Sequence, residues 1–110
     1  MSAVIPPGVR LAHEIAEKLQ LAATKKAESF RAERLFKRTR QQVFLMTEGK
    51  TVGERDAKTD VHPTVTEAED KWISAETAHI LARAEADGLS ARFEAWRSTE
   101  ASNRAEMQLR

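Results

Sequence analysis

The sequence contains no cysteine and no tyrosine. Without cysteine there is no disulfide framework, no thiolate metal centre and no cysteine nucleophile. Three prolines and four glycines in 110 residues are too few for the frequent turns of a β-sandwich or barrel. The aromatics are Phe30, Phe36, Phe44, Phe93, Trp72 and Trp96 alone. No run approaches the ~18 uninterrupted apolar residues of a transmembrane helix. The first residues, Met1-Ser2-Ala3-Val4-Ile5-Pro6-Pro7, lack a basic stretch and a long enough apolar run for a signal peptide, so the expected location is cytoplasmic. Neither sign of charge dominates: 18 basic and 17 acidic residues leave a net charge of +1.

What remains favours long helices. Eighteen alanines stand among many Leu, Glu, Lys, Arg and Gln, the strongest helix formers. Pro6-Pro7-Gly8 punctuates the start and delimits a tail over residues 1–8. From Val9 to Glu48 there is neither proline nor glycine, so a helix is expected over 9–48, closed by Gly49. Leu11, Ile15, Leu19, Ala22 and Ala23 form an apolar stripe on it, continued less regularly by Phe30, Phe36 and Val43. Residues 49–63 are the connection. Thr51-Val52-Gly53-Glu54 reads as a capping box that starts a short helix, supported by Glu54 and Lys58 at i,i+4.

After Pro63, Thr64-Val65-Thr66-Glu67 reads as a second capping box, opening a helix over 64–110. Its apolar positions are Val65, Ala68, Trp72, Ala75, His79, Ala82, Ala86, Leu89, Phe93 and Trp96. Steps of three and four alternate without interruption, which is a heptad seam with one polar member, His79. Ile73 and Ile80 form a second stripe beside it. Gly88 is the one candidate break. The expected fold is all-α: a single domain over 9–110, built as a long antiparallel hairpin of two helices of roughly 60–70 Å each at ~1.5 Å per residue. Two helices cannot cover both stripes, so the hairpin is expected to self-associate into a bundle or ring.

The charge is unevenly placed. Residues 1–63 carry +4 and residues 64–110 carry −3. Arg31, Arg34 and Arg38 fall within about 60° of one another on a helix. Lys37 and Arg40 join them, and Lys50, Arg55 and Lys58 add charge in the connection. Arginine offers a planar fork of donors that stays charged and grips phosphate, so these eight residues are candidate nucleic-acid contacts. The competing reading is a solvated helix face, which carries charges routinely.

Other chemistry finds little support. His13, His62 and His79 lie far apart, with no HExxH spacing. Asp56, Asp60 and Glu54 do not match a calcium loop. Gly49-Lys50-Thr51 lacks the upstream glycine and strand of a phosphate-binding loop. No nucleophile, base and orienting group can be assembled. The expectation is a non-enzymatic protein with no cofactor and no metal.

The order of features is similar to a known family. A long helix with basic residues near its end closes on Val43-Phe44-Leu45-Met46-Thr47-Glu48-Gly49. A basic connection follows with Lys50, Arg55 and Lys58, then a second long helix with the early Trp72. Over roughly residues 30–110 this layout resembles the UvsY-like recombination mediators of phages. The resemblance implies a ring-shaped homo-oligomer in the host cytoplasm. It would bind single-stranded DNA, loosen a single-strand-binding protein coat and load a RecA-type recombinase. It gives Lys37, Arg38 and Arg40 the DNA-contact role and the C-terminal helix the assembly role. A helical scaffold or adaptor that binds only protein is the alternative.

Overall fold

A computed structural model describes residues 5–109. Three helices follow in order: α1 (Pro7–Met46), α2 (Val52–Asp60) and α3 (Pro63–Gln108). No strand occurs among the described residues, and no helix is long and apolar enough to cross a membrane. The fold is an all-α helical hairpin. It divides into two compact units. One joins the chain through Ala22 with the chain from Ile80 onward; the other is Ala23–His79.

Both long helices begin on a proline. The sequence places Pro6-Pro7-Gly8 in a tail, yet α1 starts at Pro7. Its first bond runs from the Arg10 N–H to the Pro6 carbonyl, 3.1 Å. Proline suits the first helical position because that N–H has no helical acceptor and its φ is already helical. α3 repeats the device at Pro63. There the expected Thr64 cap is replaced by His62, whose Nδ1 accepts from the Thr64 N–H at 3.2 Å. The His62 carbonyl accepts from Thr66 at 3.0 Å. α3 then passes through Gly88 without a break.

The heptad seam of α3 is the packed face. Val65, Ala68, Ala82, Ala86 and Leu89 are buried, and the other five positions are half-buried. The facing seam of α1 differs from the expected stripe. Its covered positions are Gly8, Leu11, Ile15, Lys18 and Ala22 in the first unit, and Lys25, Ser29, Ala32, Phe36, Thr39 and Val43 in the second. These also alternate in steps of three and four. Leu19 and Ala23 are exposed, as is Phe30. Lysine can occupy such positions because its stem packs while its ammonium reaches water. Lys18 does this, ending 2.8 Å from Glu85, and hydrogen bonding to that carboxylate raises its pKa.

Small residues let the helices approach closely. In the first unit a Cβ on Gly8 would overlap the Trp96 ring, and Trp96 also packs on Phe93 with centroids 5.9 Å apart. In the second unit Phe36 stacks on Trp72 at 5.4 Å and 22°. The buried Ser29 hydroxyl donates to the Glu76 carboxylate. His79 lies beside it, its buried Nδ1 3.8 Å from Glu76 and without a hydrogen-bond partner.

Candidate nucleic-acid interface

All eight sequence-predicted basic residues lie in the Ala23–His79 unit, and the structure divides them by what they touch. Arg55, Lys58 and Arg40 are engaged internally. α1 ends at Met46 with no basic residue in its last turn, so its final carbonyls need donors from elsewhere. Thr47 supplies two, from its hydroxyl to the Val43 carbonyl and from its N–H to the Phe44 carbonyl, and Arg55 of α2 adds more. Its guanidinium donates to the Thr47 carbonyl at 3.0 Å and to the Phe44 carbonyl at 2.9 Å. It also lies over the Phe44 ring at 4.3 Å. Lys58 donates to the Glu48 carbonyl at 3.1 Å and pairs with Glu54. Arg40 binds Asp60 at 2.9 Å and Asp56 at 3.2 Å. Its hydrogen bond to Asp60 is the main reason its pKa is raised.

The connection is therefore a built joint. Thr51 caps α2, accepting from the Glu54 N–H at 3.1 Å. Glu54 in turn accepts from the Lys50 N–H at 3.0 Å, and this bond, with the Lys58 ammonium behind it, lowers the Glu54 pKa. Gly49 has no positive φ. It is needed because a Cβ there would come within 2.7 Å of the Arg55 Cγ.

The remaining residues present differently. Lys37 pairs along its own helix with Glu33 at 2.9 Å, with its side chain 69% exposed. Lys50 is exposed in the connection. Arg31, Arg34 and Arg38 are exposed and line one shallow groove with Leu35. Among the described residues their guanidinium groups make no hydrogen bond or ion pair. At about 100° per residue they point almost directly away from the seam through Ser29, Phe36 and Val43. The acids of α1 in this unit, Glu28 and Glu33, pair with Lys25 and Lys37; Glu28 is exposed, one turn before Arg31. The outer face of α1 is thus open and mainly cationic.

Phe30 escaped the sequence reading of this face, being assigned to the packed stripe. The structure leaves it 55% exposed, with the Lys26 ammonium 5.8 Å from its ring centroid. The signal was available: Lys26, Phe30, Arg34 and Arg38 are spaced four apart.

Trp72, Phe93 and Trp96 belong to the packed seam, with Val65 and Leu89. Ile73 and Ile80 are 53% and 57% exposed. No group of three or more His, Asp or Glu side chains that could hold a metal occurs among the described residues. No protein-family model, curated protein sequence or solved structure matches the chain.

Proposed function

We propose that this protein is a non-enzymatic, self-associating binder of single-stranded DNA, with phosphate neutralisation supplying most of the affinity. One observation carries the reading: Arg31, Arg34 and Arg38 share an open face with no internal acceptor, while neighbouring cations are consumed by the fold. These three guanidinium groups make no hydrogen bond or ion pair among the described residues. Their fork geometry matches phosphate oxygens. On the resemblance to UvsY-like mediators, the activity served is loading a RecA-type recombinase onto strands coated by single-strand-binding protein. Self-association is supported by the exposed apolar residues of α3, including Ile73, Ile80 and Leu81, because exposed apolar surface of this kind marks interfaces.

A mobility-shift titration of the Arg31→Ala/Arg34→Ala/Arg38→Ala variant tests the reading. The variant should keep its helix content and native mass and lose retention of single strands at low salt. Retention equal to the parent's contradicts the assignment. The same α3 residues favour a second reading, a scaffold that binds only protein. A parent that retains no single strand at low salt decides for the scaffold.

A further inference from the structure

Phe30 has no packing role that accounts for it. It is exposed, stands in an Ala23–His79 unit whose seam is already filled by Ser29, Ala32 and Phe36, and sits in a row of cations. Lys26, Phe30, Arg34 and Arg38 form one i,i+4 ridge along α1. Neighbours on such a ridge touch the same surface strip. Lys26 already lies over the ring, so the π-face is within reach of a cationic partner in the free protein.

The geometry points to Phe30 as a base-stacking platform, with Lys26, Arg34 and Arg38 holding the strand's phosphates on either side of it. This rests on the single-strand reading above and adds to it the residue that distinguishes single strands from duplex. Single-strand binders combine a cationic track with an aromatic ring on which a base stacks, and stacking tolerates any sequence because every base has a π-face. A duplex keeps its base faces covered, so Phe30 would gain nothing from it.

The test compares the parent, Phe30→Ala and Phe30→Trp on three readouts: affinity for oligothymidine, affinity for heparin, and native mass. Heparin is a polyanion without bases. Phe30→Ala should bind oligothymidine at least about fivefold more weakly, the low end for loss of one stacked base. Its heparin affinity, salt slope and mass should be unchanged. Phe30→Trp should restore affinity, with the new indole's fluorescence quenched by oligothymidine. Two results overturn the inference while the parent still binds DNA: Phe30→Ala binding oligothymidine as well as the parent, or a changed mass, which assigns the ring to contact between copies. A parent that binds neither oligothymidine nor heparin overturns the polyanion reading itself.

Discussion

The guanidinium of Arg55 caps the end of α1 from the neighbouring helix, donating to the carbonyls of Phe44 and Thr47 while lying flat on the Phe44 ring. Hydrogen bonds from a charged donor are worth more than neutral ones, and only a planar fork reaches two carbonyls while stacking. Arg55→Ala should therefore lower the stability of the protein by about 2 kcal/mol. Arg55→Lys should recover little of it. Arg31→Ala, on the open face, should stay within ~0.5 kcal/mol of the parent. Urea denaturation followed by circular dichroism measures all three.

Two glycines make an opposed pair. Gly8 lies against the Trp96 ring, whereas nothing lies within 4 Å of a Cβ placed on Gly88. Gly8→Ala should cost about 1–3 kcal/mol through overpacking, with a shift in tryptophan emission. Gly88→Ala should raise stability by ~0.5–1 kcal/mol, the usual gain from replacing glycine inside a helix. Thermal melts of the two variants should move in opposite directions.

The joint around α2 should be acid-sensitive. The Lys50 N–H, and then the Lys58 ammonium, favour the charged form of Glu54 and depress its pKa in the folded protein. A depressed carboxylate contributes stability that is present above its unfolded pKa, near 4.5, and is lost as pH falls through the folded value. The protection factors of residues 50–58, which remove the intrinsic pH dependence of amide exchange, should fall below about pH 4.5. In Glu54→Gln this acid-dependent loss of protection should shrink, leaving lower protection at neutral pH.

The fold was more legible than the site, and α3 more than α1. The seam of α3 reads directly because nine of its ten positions are apolar. The seam of α1 keeps the same period but places Lys18, Lys25, Ser29 and Thr39 on it. A search for hydrophobicity passes over these positions and selects Leu19 and Phe30 instead. Polar residues fit there because the facing alanines are small, lysine stems pack lengthwise, and Ser29 finds Glu76. At the site, charge density alone made Arg40, Arg55 and Lys58 look equivalent to Arg31, Arg34 and Arg38. Apart from Glu54, four residues before Lys58, their acceptors lie 8 to 20 residues away in sequence, across a turn whose geometry composition does not specify. Pro7 and Pro63 were read as barriers; in the structure they are the first residues of their helices.

The salt dependence of single-strand binding tests the central claim most directly, because it counts the phosphates neutralised. Each contact contributes about −0.7 to the slope of log affinity against log salt for single strands. Oligothymidine binding by Arg31→Ala/Arg34→Ala/Arg38→Ala should be weaker and its slope shallower than the parent's by about 2. An unchanged slope and affinity would contradict the account, because the open arginine face would then carry none of the binding.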